Sequence, residues 1–473
     1  MSGDRRSAFR FRFSVLVLVL AAAVAPGCMV GPNFTQPNVD VPPTFRTADN
    51  STLAAYPSVA TERWTQAFTD TTLQSLIRTA LAQNTDVRVA ALRIVEAQAQ
   101  LGITRSDQFP SVSAGVNVLG ERPSAALGFP SRNIVAFSAQ GNVSWELDFW
   151  GKYRRATEAA RAQLVASEWG RRAVMTTLVS QVATAYFGLR ALDFELEISR
   201  QTLSTRQESL RLTQVREQGG VTSLIDVRQA EQLVYGATTE IAALEREIAQ
   251  QENFISVLLG RNPGPIDRGL SLVDEPRPAD VPAGLPSTLL TERPDIQQSE
   301  QQLVAANAQI GIARAAFFPT IPLTGAGGFE STALSALFAG TNAIWTAAVG
   351  ATAPVFTAGR TRSQVELARA RYDEAVLSYQ QTVRQAFREV SDALVGYAKL
   401  RESRAQQALL VTSAQDARRL ADIRYQGGAT SYLEVLDADT RLFDAQLGLA
   451  QAQLGELSGY VEIYRALGGG WQQ

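Results

Sequence analysis

The residue types that usually carry chemistry are almost missing from this chain of 473 residues. It has no histidine and one cysteine, Cys28. Without histidine there is no Ser/His/Asp or Cys/His nucleophile, no imidazole zinc site and no side chain that ordinarily titrates near neutrality. One cysteine forms neither an internal disulfide nor a thiolate cluster, which leaves Cys28 as a site for a covalent lipid. Gly325, Gly327 and Gly328 are closely spaced, but they lack the strand, loop and helix order of a phosphate-binding loop. Glycine in a strand more often marks a bend or a close approach. Acidic residues number 46 against 44 lysines and arginines, a net charge of −2. That balance gives no footprint for nucleic acid, and no convergent carboxylate pair can be read from the spacing. The expectation is no catalytic residue, no metal site and no cofactor beyond the lipid; an envelope enzyme working through carboxylates is the weakest reading.

Function must then lie in architecture. Residues 1–27 read as a signal peptide, with Arg5, Arg6, Arg10 and Arg12 ahead of an apolar run from Phe13 to Ala25. That run is shorter than the ~20 residues that span a bilayer. The small residues ending at Gly27 before Cys28 resemble a bacterial lipoprotein signal, in which the cysteine is acylated after cleavage; ordinary cleavage nearby is the alternative. Residues 28–62, proline-rich at first, read as an extended tether from lipid to body.

The rest is a tandem repeat. Residues 86–110 align without gaps to 295–319 with ten identities, among them Gly102/Gly311, Arg105/Arg314, Phe109/Phe318 and Pro110/Pro319. The register continues at an offset of 208, so that REQGGVTSLIDV at 216–227 faces RYQGGATSYLEV at 424–435. The predicted organisation is a first half over 63–260, a linker over 261–286, a second half over 287–466 and a tail over 467–473. Each half reads as helix, strand pair, very long helix, tight turn and returning helix. The helices over 72–108 and 292–317 stop at the Phe-Pro pairs, Phe109-Pro110 and Phe318-Pro319. The strand pairs fall within 111–147 and 320–356, in runs of about ten residues that roughly alternate apolar with small or polar, the length a tilted strand needs to cross a bilayer. The helical hairpins occupy 154–258 and 362–466, turning at Gly219-Gly220 and Gly427-Gly428. Either long arm could run ~95 Å. Leu178, Val182, Ala185, Leu189, Leu192 and Leu196 predict a heptad seam rather than a broad core face. Trp145, Phe149, Trp150 and Trp345 form either an interfacial aromatic girdle or structural packing.

Four strands cannot close a membrane barrel, whose known single-chain range starts near eight. Open edges in lipid would cost several kcal/mol per unpaired group. The barrel must therefore be shared: two copies would fill it with side chains, whereas three give twelve strands and begin to leave a lumen.

These features resemble the TolC family of outer-membrane efflux proteins, in its lipoprotein, NodT-like branch associated with resistance-nodulation-division pumps. The marks are GCMVGPNFTQP at 27–37, WTQAFTD from Trp64, ERPDI at 292–296, the paired Phe-Pro strand entries, DFWGK at 148–152 with TAGR at 357–360, and YQGGATSYLEVLDA at 425–438. The resemblance implies a mainly α fold with a membrane β-barrel: a homotrimer sharing twelve strands, four per chain, above a long α-helical barrel in the periplasm. It implies an exit duct in the outer membrane, held by lipid and docked through a periplasmic adaptor onto an inner-membrane pump. It places the two Gly-Gly turns at the periplasmic tip. There Tyr425 matches the tip tyrosine and Asp226 the acidic residue it can hydrogen-bond. Leu433 matches a constricting apolar position, and Glu434 and Asp437 match acidic positions near the pore entrance. Thr430 stands where some members carry a gate-linking arginine. The alternative for Asp226, Glu434 and Asp437 is a solvated face or support of the returning helix's first turn. A lipid-anchored coiled-coil scaffold without a pore is the alternative for the whole chain, though it leaves two bilayer-length strand pairs unexplained.

Overall fold

The computed structural model describes residues 29–45, 58, 62–122, 133–277, 281 and 286–472; Cys28 and the signal peptide lie outside them. In chain order the main elements are α1 (Trp64–Ala67), α2 (Thr71–Gln83), α3 (Thr85–Ser106), β1 (Ser111–Glu121), β2 (Ile134–Glu146), α4 (Lys152–Gln218), α5 (Leu224–Leu258), α6 (Leu289–Glu292), α7 (Pro294–Ala315), β3 (Pro322–Ser331), β4 (Ala343–Val349), α8 (Arg360–Gln426) and α9 (Tyr432–Ala466). The long arms are equal, each of 67 residues, and so are the returning helices, each of 35. The chain divides into two compact units, one built on residues up to 37, 94–166 and 299–379, the other on 38–93, 167–298 and 380–473.

In the first unit the strands form one antiparallel sheet in the order β1-β2-β3-β4. β4 ends at Val349, and a single antiparallel bridge from Thr352 to Thr320 is the last pairing in the strand-pair region read over 320–356. The outer side of β4 has no neighbour among the described residues, and Pro354 has no N–H to give a ladder. The proline-rich start is packed rather than loose. Gly31, at φ 105°, presses its backbone onto Gly311, where a Cβ would come within 2.5 Å of the Gly311 Cα. Asn307 donates to the Pro32 carbonyl at 3.1 Å and Arg155 to Asn33 at 2.9 Å.

In the second unit the region read as one helix over 72–108 is two. Asn84 ends α2 and caps α3, accepting from the N–H groups of Asp86 and Val87 while donating to the Leu258 carbonyl. The heptad seam on α4 also needs correction. Val179, Ala183, Tyr186, Phe187 and Ala191 are as buried as Leu178, Val182 and Leu189. Phe68 meets the rings of Phe187, Tyr460 and Tyr464 from the other side, at 5.6 to 6.4 Å. Here α4 presents a broad core face, with only a narrow stripe at Thr177, Gln181 and Thr184 left exposed.

The segment joining the repeats is a docked strap. Ile266 and Leu272 are buried, and Arg268 pairs with Asp193 and Glu252. Asp70 caps α2 through Thr72 and Leu73 and also accepts from the Tyr186 hydroxyl at 2.7 Å and the Leu270 N–H at 3.0 Å. Burial alone would raise its pKa, but those donors outweigh it and hold the Asp70 carboxyl below its usual value. Glu275 has the opposite fate: burial, then the Asp70 carboxylate beside it, push it up to about 8 against the pull of Arg190 and Arg277. Its Oε1 is enclosed with no hydrogen-bond partner among the described residues.

A raised pKa in the folded state favours folding at low pH, and that contribution is lost as pH climbs from the unfolded value of 4.5 toward about 8. Unfolding measured across this interval should show stability falling with pH, and Glu275→Gln should flatten the decline.

Candidate functional site: sheet faces and helical tips

The pairing register sorts the sheet into two unlike faces. Val112 pairs Val143, Val116 pairs Ala139, Val118 pairs Phe137 and Gly120 pairs Val135; the same face carries Trp145, Leu323, Phe329, Trp345 and Val349. The alternate residues pair Ser111 with Ser144, Ser113 with Asn142 and Asn117 with Ser138, and continue through Gln140, Thr324, Glu330 and Thr346. One face is thus hydrocarbon-like and the other hydrogen-bonding, with the period of two that a lipid-facing barrel wall requires. Among the described residues nothing pairs the outer sides of β1 and β4. At one end of the sheet, Trp150 stacks on Phe318 at 4.7 Å and donates to the Pro319 carbonyl, while Trp145 donates to the Gln108 carbonyl. These two tryptophans pin the strand entries. Phe109 and Trp345 stay exposed.

The two tips are built alike. At the end of α4, Val221 N–H reaches the Arg216 carbonyl and Gly220 N–H the Glu217 carbonyl; at the end of α8, Ala429 reaches Arg424 and Gly428 reaches Tyr425. This double bond to the last turn needs a left-handed residue, supplied by Gly220 at φ 70° and Gly428 at φ 68°. Gly219 and Gly427 remain in line with their helices, closing the preceding hydrogen bonds to Val215 and Ile423.

The hydrogen bond that the resemblance implies between Tyr425 and Asp226 is not made in this structure. Asp226 is committed to the start of α5, accepting from the Thr222 hydroxyl and from the N–H and hydroxyl of Ser223. Burial would raise it, but these donors hold it below the usual carboxylate value. Tyr425 is buried against Tyr432 at 5.2 Å with Arg216 over its ring at 4.6 Å, and its hydroxyl has no partner among the described residues. Glu434 pairs with Arg424 at 3.0 Å and accepts from Thr430, so an arginine six residues before Thr430 makes a contact within the same hairpin. Asp437 pairs with Arg441 on the surface of α9 at 2.8 Å. Leu433, 60% exposed, points away from the chain's own core.

Spacing alone missed the buried ion cluster that joins the two hairpins. Asp439 on α9 accepts from Arg206 on α4 at 2.8 Å and from Arg418 on α8 at 3.2 Å. Arg206 also donates to the Leu233 carbonyl and lies over Phe443. Beside it Tyr432 and Ser209 share a hydrogen bond of 2.9 Å, and Ala230, Ala421, Val435, Leu436 and Ala438 pack with Tyr425 and Tyr432 into one core. The repeat alignment held the signal, since Arg206, Arg418 and Asp439 stand opposite Ala414, Leu210 and Glu231.

Comparison with known proteins decides the family. The pattern of the family described as "Outer membrane efflux protein" matches residues 76–261 and 285–469. The chain belongs to the outer membrane efflux protein family. Among relatives of this family, the toluene efflux pump outer membrane protein TtgC of Pseudomonas putida is 39% identical over 458 residues, 96% of this chain and 94% of that one. The cation efflux system protein CusC of Escherichia coli O6:H1 is 35% identical over 94% of this chain and 96% of its own length. The fold agrees with the solved structure of CusC at a TM-score of 0.86 and 33% identity, covering 94% of this chain and all of that one. The open state of the Neisseria gonorrhoeae MtrE outer membrane channel gives the same TM-score at 31% identity, covering 94% of this chain and 99% of that one. The efflux family fold is mainly helical with a four-stranded sheet in each chain, and the protein is placed in the outer membrane.

The two kinds of tip carboxylate should respond differently to removal. Asp439→Ala leaves Arg206 enclosed without its anion and Arg418 with only the half-exposed Asp422, and should cost about 3–5 kcal/mol of unfolding free energy. Asp437→Ala removes an exposed pair and should cost no more than about 0.5 kcal/mol. Chemical unfolding, with hydrogen exchange read at residues 205–235 and 415–440, distinguishes the two.

Proposed function

We propose that three copies of this chain form a passive exit duct in the outer membrane, taking cargo from a periplasmic adaptor and an inner-membrane pump of the resistance-nodulation-division type. The observation that carries this reading is the four-stranded sheet with two unlike faces and two unpaired edges. Three such sheets joined edge to edge make a twelve-stranded wall, apolar outside and polar within, wide enough to leave a lumen. Acylation of Cys28 would hold each copy to the membrane, with residues 29–37 packed against the body behind it.

In this reading the tips are the gate. Tyr425, Asp226, Leu433, Glu434 and Asp437 line or shape the periplasmic entrance, and the Gly219-Gly220 and Gly427-Gly428 turns set its edge. Threefold symmetry turns Leu433 into an apolar constriction. It turns Asp437 into a ring of three carboxylates, each already paired with its own Arg441. Such a ring attracts cations less than a bare one.

The test is planar-bilayer conductance of the detergent-purified protein, with native mass determined on the same sample. A trimer with discrete openings supports the duct; a monomer, or a trimer that stays silent after its tips are loosened by Asp439→Ala, favours the scaffold. Reversal potentials should show weak charge preference in the parent and a clear shift toward cations in Arg441→Ala.

A further inference from the structure

The connection between β3 and β4 departs from what an aqueous loop should be. Residues 332–342 read TALSALFAGTN, without one charged side chain. The loop is nonetheless ordered. Short 3₁₀ turns form at Leu334–Ala336 and Gly340–Asn342, and the Asn342 amide donates to the Ala336 carbonyl at 2.7 Å. The Ser331 hydroxyl accepts from the Ala333 N–H at 3.1 Å, and Leu337 is tucked beneath. Several of its backbone groups are satisfied within the loop while two large apolar side chains remain uncovered: Leu334 is 64% and Phe338 72% exposed.

The direction of that exposure is fixed by one contact. The Phe338 ring meets Phe329 edge-to-face at 5.5 Å, and Phe329 belongs to the apolar face by its pairing with Ala139 and Ala343. The patch therefore extends the apolar face beyond the last paired residues of β3 and β4. By contrast, the sequence joining β1 to β2 contains Arg122 and Arg132. A hydrophobic patch continuous with a lipid-facing wall is matched by hydrocarbon rather than by water.

We propose that the 332–342 loop rests on the rim of the bilayer, with the Leu334 and Phe338 side chains inserted among lipid acyl chains and the rest of the loop in water. The proposal rests on reading the apolar sheet face as the lipid face. Each copy in a trimer would then carry one such foot, and the second hairpin would be held in the membrane more deeply than the first.

Nitroxide labels on cysteines introduced at Phe338 and Ser335 test this in the full-length protein reconstituted into phosphatidylcholine/phosphatidylglycerol vesicles, with the parent's labelling subtracted. Val116→Cys on the apolar face and Asn117→Cys on the polar face serve as references, and native mass confirms assembly. The expected result is that position 338 collides with oxygen several-fold more than with a water-soluble nickel chelate, as position 116 does, while position 335 favours the chelate. Chelate preference at 338, or shielding from both probes by another part of the protein, overturns the proposal while the lipid face stands. Chelate preference at 116 would overturn the lipid face itself, and the loop's seat with it.

Discussion

A β-strand edge cannot face hydrocarbon. Each unpaired N–H or C=O there costs several kcal/mol, because lipid offers no replacement for the missing hydrogen bond. β1 and β4 present two such edges, on a sheet whose apolar face suits lipid and whose polar face suits water. The remainder of the fold follows from that constraint in the proposed duct. Copies must meet edge to edge, the polar residues must gather inside, and a duplicated chain that supplies two hairpins gives the resulting ring a pseudo-sixfold character.

The duplication is not exact, and the departures carry meaning. Both Gly-Gly turns and both returning helices are built by the same local rules, down to a left-handed glycine at the same place in each. The ion cluster is not duplicated. Arg206, Asp439 and Arg418 join the two hairpins of one chain, whereas the repeat-related Ala414, Glu231 and Leu210 cannot form such a cluster, and Glu231 instead pairs with its helix neighbour Arg228. A buried ion cluster is weak evidence for net stability, yet breaking it by removing one member is costly. Loss of any one of the three therefore weakens the joint between the hairpins of a chain.

Much of this was legible in the residues. The strand pairs announced themselves by period two, the long arms by the absence of proline, the tips by paired glycines, and the repeat by a gap-free alignment. What escaped was set by contacts distant in sequence. Asn84 looks like an ordinary helical position until its side chain is seen to cap α3 and hold Leu258. The seam on α4 broadens into a core face because Phe68, Tyr460 and Tyr464 arrive from elsewhere in the chain. Asp226 was matched to Tyr425 by position, but a carboxylate in the first turn is drawn to the helix's own unsatisfied N–H groups. The strap over 266–277 could not be told from a linker, since its anchors, Tyr186, Asp70, Asp193 and Glu252, all lie on other elements.

The central claim is that β1 of one copy completes the edge of β4 in the next. In a single chain these strands are separated by two others, roughly 14 Å at about 4.8 Å per spacing, too far for a disulfide. Cysteine pairs combining Thr346→Cys with each position from Ser111 to Glu121 in turn, oxidised in the membrane, measure the junction directly. The account predicts interchain disulfides confined to polar-face positions such as Ser113 and Asn117, with a covalent trimer as the largest product. Interchain disulfides of no preferred face, or none at all in intact, correctly assembled protein, would contradict it.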